Sequence, residues 1–348
     1  MRLSLKEYNE FKISILSLEY FIKERMKMNY DVTALGELLI DFTENDQSAQ
    51  GNPLFEANPG GAPCNVLAML QKLGAKTAFI GKVGNDALGR MLKDKASAQG
   101  IDMSGLFMDD EIHTTLAFVH KLANGDRDFS FYRNPGADMK LGVEEVKSKA
   151  ELIQNSRAFH FGTLSMTDAK VEEATKAAIS IAKEAGCLIS FDPNYRAPLW
   201  ETPEKAKEKM RYGLGLCDVL KISDNEVEFL TGESDIVKGV EKLIDEYHIP
   251  LVFATAGSDG SYAFYKDIQL FQKAFLNDNT IETTGAGDTF MAVALYYAVT
   301  KGLDNLDKGI LAEALRTASL AASLITTRKG ALAVMPDPEE IREYGAGR

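Results

Sequence analysis

One heptapeptide, Thr284–Phe290 (Thr-Gly-Ala-Gly-Asp-Thr-Phe), has the residue types and spacing best suited to chemistry. Its glycines and the apolar run that begins at Phe290 predict a tight turn feeding the start of a buried helix. Backbone N–H groups at a helix start lack helical partners and lie at the positive end of the helix dipole. An anion could approach them there, and Asp288 could accept the proton of an attacking hydroxyl. The segment therefore indicates phosphoryl transfer to an alcohol, with an ordinary helix cap as the alternative.

A second motif, Gly60-Gly61-Ala62-Pro63-Cys64-Asn65, stands before an apolar helical pattern that ends at Leu73-Gly74. The paired glycines would let backbone touch a ligand, and proline fits the entry to a helix. Asn65 can donate and accept hydrogen bonds at once, which suits a sugar hydroxyl. Taken alone, the motif is more typical of an ordinary Gly-Pro turn with Asn65 as a helix cap.

From Tyr30 onward, strand and helix patterns alternate, which predicts an α/β fold with a mainly parallel sheet covered by helices on both faces. The predicted strands are Asp31–Leu35, Thr77–Ile80, Ala158–Gly162, Cys187–Asp192, Val219–Ile222 and Leu251–Thr255, with a late hairpin at Tyr262–Tyr265 and Ile268–Leu270. The predicted helices are Asn65–Leu73, Ala87–Gln99, Val143–Gln154, Lys170–Glu184, Pro203–Gly213, Asn225–Leu230, Val237–Glu246, Phe290–Thr300 and Ala312–Thr326.

Between these regions the period changes to two at Thr114–Lys121 and Arg127–Tyr132, which flank Asn124-Gly125, a strong hairpin signal. An isolated hairpin is marginally stable, so we expect it to join the segment Ile40–Glu56 in a small sheet that projects from the main body. The two lid segments would span about 40–58 and 113–134. Such a sheet has exposed edges and an apolar face, so a homodimer through it is plausible.

The composition of the 348 residues is that of a globular protein, with 45% hydrophobic and 26% charged residues. The net charge of −12 disfavours nucleic acid and acidic membranes as partners. Three cysteines, Cys64, Cys187 and Cys217, form no C-x-x-C pair and indicate a reducing, cytoplasmic setting. Residues 1–28 are expected to be an N-terminal extension, either an added amphipathic helix or the result of a start assigned too early, with the native start at Met26 or Met28.

Together, and in this order, the two motifs resemble the signatures of the ribokinase-like carbohydrate kinases, the PfkB family. The resemblance runs from about Tyr30 to about Pro336, and it implies one ribokinase-like domain over 29–340. Gly36-Glu37 and Asp41 are similar to the family's first-strand segment, in which the aspartate holds sugar hydroxyls. The resemblance implies a sugar site at Asp41, Asn58, Gly60, Gly61, Asn65, Phe129, Phe131, Arg133, Asp192 and Arg196.

The resemblance also implies an ATP site, and the absence of a Walker-type or Gly-x-Gly-x-x-Gly motif agrees with it. Asn225-Glu226-Val227-Glu228 is similar to the family's Asn-x-x-Glu motif, which would place Glu228 on Mg²⁺ through water, with a capping box as the alternative. Lys221 is a candidate for phosphate contact. The remaining nucleotide residues implied are Asn225, Thr255, Gly257, Gly260 and Gly330.

In the mechanism that the resemblance implies, Asp288 is the base and follows the turn Gly285, Ala286 and Gly287. The N–H groups of Ala286, Gly287 and Asp288 stabilise charge on the transferring phosphoryl group. Where the family often has Asp, Glu282 precedes the motif, so the sequence leaves a K⁺ site open. The acceptor favoured by resemblance is D-fructose, giving fructose 6-phosphate. A 2-keto-3-deoxygluconate kinase is the nearest alternative, and a non-catalytic sugar-sensing protein is the alternative from another class.

Overall fold

The computed structural model describes residues 28–121 and 127–348, and the side chains at 120–129 lie outside that description. The predicted N-terminal extension and the Asn124-Gly125 turn therefore fall outside the described residues. Within the described ranges, no helix combines the length and hydropathy needed to cross a bilayer.

Thirteen strands are described, and all strands predicted from the sequence are present. They are β1 (Tyr30–Leu35), β2 (Leu39–Gln47), β3 (Pro53–Gly60), β4 (Thr77–Gly84), β5 (Asp102–Asp109), β6 (Leu116–Lys121), β7 (Arg127–Tyr132), β8 (Ser156–Gly162), β9 (Leu188–Asp192), β10 (Val219–Ser223), β11 (Leu251–Thr255), β12 (Gly260–Tyr265) and β13 (Ile268–Lys273).

The described residues form eleven α-helices, which we number in chain order. They are α1 (Ala62–Lys72), α2 (Ala87–Ala98), α3 (Val143–Ser148), α4 (Ala150–Gln154), α5 (Ala169–Glu184), α6 (Pro203–Leu214), α7 (Asp224–Thr231), α8 (Ile236–Tyr247), α9 (Ala286–Lys301), α10 (Lys308–Ile325) and α11 (Pro338–Ala346).

The main sheet has nine strands in the order β13-β12-β11-β10-β9-β8-β1-β4-β5. Strands β1, β4, β5 and β8 to β11 pair in parallel, while β12 and β13 form an antiparallel hairpin at one end. Alternate residues of β1 enter different cores: Val32 and Ala34 pack with α1, α9 and α10, and Leu35 packs with α5. The predicted layered α/β architecture, with helices on both faces, is confirmed.

A second sheet contains four strands in the order β3-β2-β6-β7. Strands β6 and β7 pair antiparallel, β2 pairs antiparallel with β3, and β2 pairs in parallel with β6. The second small sheet predicted from the change of period is confirmed, and we call it the lid sheet.

Three features of the fold differ from the prediction. The predicted helix over Val143–Gln154 is two short helices, because Lys149 leaves the helical conformation and Ser148 Oγ donates to the Glu145 carbonyl at 2.7 Å. Strand β5 was missed, since Ser104 and Gly105 interrupt its apolar pattern. Helix α11 was also missed, although the proline at its first position is a common start signal.

Candidate active site

Helix α9 begins at the heptapeptide, and its first turn faces a cleft between the main sheet and the lid sheet. Gly285 caps it with φ of 77°, and a Cβ there would lie 2.6 Å from the Ala331 Cβ, so only glycine fits. The predicted apolar helix is confirmed, since nearly every residue from Asp288 to Leu295 is buried. Asp288 itself is 9% exposed.

The predicted set of N–H donors in this turn needs one correction. Ala286 N–H is already donated to the Thr283 carbonyl at 3.2 Å. Gly287 and Asp288 occupy the second and third helical positions, where N–H groups have no partner within the helix. The donors that remain for an anion in this turn are therefore the N–H groups of Gly287 and Asp288, whereas Ala286 N–H is engaged within the turn.

The two sequence motifs meet in one hydrogen bond, which Asn65 Nδ2 donates to Asp288 Oδ2 at 2.8 Å. Helix α1 brings Asn65 to this point and packs against α9, with Gly61 at its N-terminal cap. The other amide atom, Asn65 Oδ1, is buried and has no protein partner in the described part of the chain. An orphaned acceptor beside a candidate base suits a ligand hydroxyl.

Opposing effects set the proton affinity of Asp288. Burial raises the pKa of its carboxyl group, while the Asn65 hydrogen bond and the positive charges of Arg196 and Lys221 lower it, and burial dominates. A carboxylate whose pKa is raised is a stronger base than an exposed aspartate, which suits proton abstraction.

Asp41 lies on the cleft face of the lid sheet, directly opposite Asn58 in the β2–β3 register. Gly60 lies against it, since a Cβ there would be 2.2 Å from Asp41 Oδ2. Burial raises the pKa of Asp41 to about 7, the Arg196 charge lowers it, and the negative charges of Asp288 and Glu282 raise it further. The carboxylates of Asp41 and Asp288 therefore interact electrostatically within the cleft.

Strands β6 and β7 supply the apolar part of this wall through Val119 and Phe131, which line the cleft. Phe131 pairs with Ala117, which pairs with Asp41, so these residues share one face of the sheet. Phe129 pairs with Val119, and its side chain lies outside the described set.

Arg133 was predicted to lie in the sugar site, but its side chain makes other contacts. Its guanidinium is buried and paired with Asp138. Nε donates to Asp138 Oδ2 at 2.8 Å, and Nη2 lies 2.7 Å from the same oxygen. Nη1 donates to Thr167 Oγ1 at 2.7 Å, and Nη2 to the Leu164 carbonyl at 2.9 Å. Leu164 lines the cleft, so Arg133 supports the wall from behind and does not line it.

A buried ion pair joins Lys221, in the middle of β10, to Asp192, at the end of β9, with 3.2 Å between Nζ and Oδ2. Burial would lower the pKa of Lys221, but the carboxylates of Asp192, Glu226 and Asp288 outweigh burial and raise it. A Cβ on Gly287 would lie 3.2 Å from Lys221 Nζ, so the ammonium lies beside the anion-binding turn. The predicted phosphate contact is thus placed next to the predicted transfer site.

The segment after β10 departs from the prediction. Glu228 is exposed and does not line the cleft, whereas Ser223, Asn225 and Glu226 do. The capping box is formed by Ser223 and Glu226, because Glu226 Oε2 accepts from Ser223 N and Oγ at 2.8 Å each. Sequence reasoning missed Glu226, although Ser-x-x-Glu is itself the capping-box spacing.

Arg196 is the exposed cation of the cleft, and it follows Asp192 in the segment after β9. Its charge lowers the pKa of both Asp41 and Asp288, which places it within electrostatic reach of both carboxylates. Its Nη1 donates to the Tyr195 carbonyl at 3.1 Å.

The cleft has a volume of about 500 Å³ and adjoins a second pocket of about 390 Å³. Thr283 and Gly287 line both, so the anion-binding turn stands between them. The second pocket is mainly apolar and includes Phe275 and Phe290. The predicted nucleotide residues Thr255, Gly257 and Gly260 line it, whereas Gly330 does not line it and lies against Asn58 of the lid sheet.

Similarity to known proteins agrees with this arrangement of two adjoining pockets. Residues 29–338 match the family model described as pfkB family carbohydrate kinase. The "Probable fructokinase-2" of Arabidopsis thaliana is 37% identical over 307 residues, which cover 88% of this chain and 92% of the relative.

Two solved structures show the same architecture. A fructokinase from Xylella fastidiosa with bound ATP has a TM-score of 0.82 at 28% identity, covering 91% of this chain and 98% of that one. A double-mutant fructokinase from Vibrio cholerae O395, in its fructose-, ADP- and potassium-bound form, has a TM-score of 0.80 at 28% identity, covering 90% and 98%. Since the family model and the relative each span most of the chain, this protein belongs to the PfkB family of carbohydrate kinases.

Proposed function

We propose that this chain is an ATP-dependent fructokinase, which transfers the γ-phosphate of ATP to D-fructose and yields fructose 6-phosphate. The observation that carries the proposal is the position of Asp288. It stands in the first turn of α9, bonded to Asn65 in the sugar-sized cleft, while the same turn borders the apolar pocket that would take the adenine nucleotide. The similar fructokinases favour fructose over other acceptors.

In this reaction the fructose hydroxyl lies between Asp288 and the transferring phosphoryl group. Asp288 accepts the hydroxyl proton as the oxygen attacks phosphorus, and the bond from phosphorus to the ADP oxygen breaks. The N–H groups of Gly287 and Asp288 and the Lys221 ammonium stabilise the charge on the equatorial oxygens. Positioning and electrostatics dominate, because phosphoryl transfer asks little covalent chemistry of the protein.

Magnesium would enter with the nucleotide. In the described part of the chain, no three His, Cys, Asp or Glu side chains are grouped as metal ligands. Mg²⁺ usually keeps several waters and binds through one or two carboxylates and the substrate phosphates. Asp192 and Glu226 act on Lys221 through their charges, and we propose that they orient such waters in place of Glu228. When bound, the ion neutralises charge on the phosphates.

The rival acceptor, 2-keto-3-deoxygluconate, carries a carboxylate and needs a cation in the cleft. Arg196 could supply one, but Arg133 is paired with Asp138 and does not line the cleft. The rival acceptor would therefore depend on Arg196 alone, whereas the sequence made both Arg133 and Arg196 candidates.

We also propose a reducing cytoplasmic setting, supported by Cys64, Cys187 and Cys217, all of which are free and buried.

An assay of ADP release over a panel of sugars tests the function. We expect turnover with fructose to exceed that with ketodeoxygluconate, ribose and glucose by at least a factor of ten. A preference for ketodeoxygluconate would replace the proposal by its rival, and sugar binding without turnover would indicate a sensing protein. Repeating the assay in potassium and in choline buffers tests whether the chain uses K⁺.

A further inference from the structure

Residues 326–331, which we call the late loop, connect α10 to the last part of the chain and touch both substrate sites. Thr326 lines the nucleotide pocket at one end of the loop. At the other end, Gly330 lies against the lid sheet and Ala331 lies against Gly285 of the anion-binding turn. The loop is therefore in a position to transmit a structural change between the nucleotide pocket and the sugar site.

Glu282 holds both ends of this loop. Ile281 N and Glu282 N donate to the Thr326 carbonyl at 2.8 and 3.1 Å. The Glu282 side chain reaches back, and its Oε1 accepts the Gly330 N–H at 2.8 Å. Glu282 is 6% exposed, so this bond is made away from competing water.

From Gly330 the contacts continue into the sugar site. Its φ is 80°, and a Cβ there would lie 3.0 Å from Asn58 Oδ1, so glycine allows the backbone to meet Asn58 closely. Asn58 is the register partner of Asp41 across the β2–β3 pair. A second contact, from Lys329 Nζ to Asn45 Oδ1, ties the same loop to β2.

We propose that Glu282 is a positioning residue which couples the two substrate sites, so that nucleotide in its pocket strengthens the binding of sugar at Asp41. The chain of contacts is Thr326, Glu282, Gly330, Asn58 and Asp41. An ordered Thr326 fixes Glu282, Glu282 fixes Gly330, and Gly330 holds β3 where Asp41 meets the sugar. This inference rests on the proposed function, and it extends that function to cooperation between the substrates.

The charge of Glu282 also reaches the sugar site directly, because it helps to raise the pKa of Asp41. The hydrogen bond and the charge can be separated by substitution. Glu282→Gln keeps an oxygen that can accept the Gly330 N–H and removes the charge. Glu282→Asp keeps the charge but shortens the side chain by one methylene, which breaks the bond to Gly330.

The measurement is the dissociation constant of fructose with and without a non-hydrolysable ATP analogue. Coupling between ligand sites is typically about 5- to 150-fold, and we expect a value in this range for the unmodified protein. Glu282→Asp should reduce the ratio to near one, while the dissociation constant of fructose alone and that of the analogue alone change less than about threefold. Glu282→Gln should keep the ratio, because the hydrogen bond carries the coupling.

Two further variants provide a second test and a control. Asn58→Ala removes the next contact in the chain and should also reduce the ratio, while Glu339→Asp, the same change at an exposed position on α11, should not. A ratio that Glu282→Asp leaves unchanged, or an unmodified protein without coupling, would overturn the inference and leave the fructokinase proposal standing. An unmodified protein that binds no fructose would instead contradict the proposed function itself, and the inference with it.

Discussion

The acid Asp288 stands where two helices from distant parts of the chain meet, and its surroundings both raise and limit its proton affinity. Burial raises its pKa, and the Asn65 amide and two cations hold that rise in check. A base must be ionised to act, yet basic enough to take a proton, and this balance serves both needs. The single bond from Asn65 also fixes the carboxylate toward the cleft.

Asp288→Asn tests this role. We expect turnover to fall by about 10²–10⁴-fold, the usual worth of general-base assistance, because an amide cannot accept the hydroxyl proton. Fructose binding should persist, since the amide oxygen can still accept from Asn65. Turnover is measured by ADP release and binding by calorimetry. The same substitution at Asp267, exposed in the β12–β13 turn, is the control, and near-normal turnover of Asp288→Asn would remove the residue from the reaction.

At this scale the sequence predicted the residue types of the site better than their contacts. Both motifs were recognised, but the bond between Asn65 and Asp288 spans 223 positions and depends on how α1 packs on α9. The departures have the same origin. Arg133 meets Asp138 inside the protein, and Glu226 faces the cleft where Glu228 faces solvent. Which side chain of a charged segment faces a ligand is decided by how that segment packs on the rest of the chain, which short motifs leave undefined.

Among the elements, the lid sheet shows most clearly how the alternation of side chains along a strand places functional residues on one face. Its alternation places Asp41, Ala117 and Phe131 on the cleft face and Phe42, Phe118 and Tyr132 on the other. The sequence predicted these strands from their alternation and their turn signal. It could not predict that β2 pairs in parallel with β6, because that pairing joins segments separated by two helices and two strands of the main body.

The inner face of the lid should exclude water from the transfer site. We expect Phe131→Ala to raise the KM for fructose and to increase ATP hydrolysis without sugar, because a smaller side chain leaves the cleft wetter. Both are measured by ADP release with and without fructose. Ser130→Ala, the neighbouring position on the outer face, should change neither quantity. Unaltered hydrolysis and KM in Phe131→Ala would show that the aromatic ring only packs the sheet.

We propose that the outer face of the same sheet, which carries an aromatic cluster, binds a second copy of the chain. Phe42 stacks on Phe118 with centroids 4.9 Å apart, and Tyr132 meets Phe118 edge-on while remaining 65% exposed. Tyr132→Glu places a charge in this cluster and should convert a dimer to monomers in sedimentation experiments. Phe271→Glu, at another exposed aromatic residue on β13, should not. A protein that is monomeric before substitution would refute the lid dimer.

For the molecule as a whole, the cleft concentrates acids that bind protons more tightly when folded than when unfolded. Burial raises the pKa values of Glu37 and Asp41 to about 7, and it also raises those of Asp192 and Asp288. His160 acts in the opposite direction, because burial lowers its pKa to about 3. Between about pH 5 and 7, Glu37 and Asp41 outweigh this one histidine, so the folded state takes up more protons than the unfolded chain.

The ligand-free protein should therefore become more stable as the pH falls from about 8 to about 5, since stability changes with pH in proportion to the protons taken up on folding. The trend should reverse below about pH 4.5, where acids such as Asp86 and Asp109, whose pKa values are lowered by hydrogen bonds from backbone N–H groups, lose their charge. Urea unfolding at half-unit pH steps measures this. Asp41→Asn removes one of the four acids and should flatten the slope between pH 5 and 7, whereas Asp46→Asn, exposed on the same strand, should not. Stability that instead rises with pH across this window would mean that the cleft acids are ionised in the folded protein, and that cations hold them more strongly than burial opposes them.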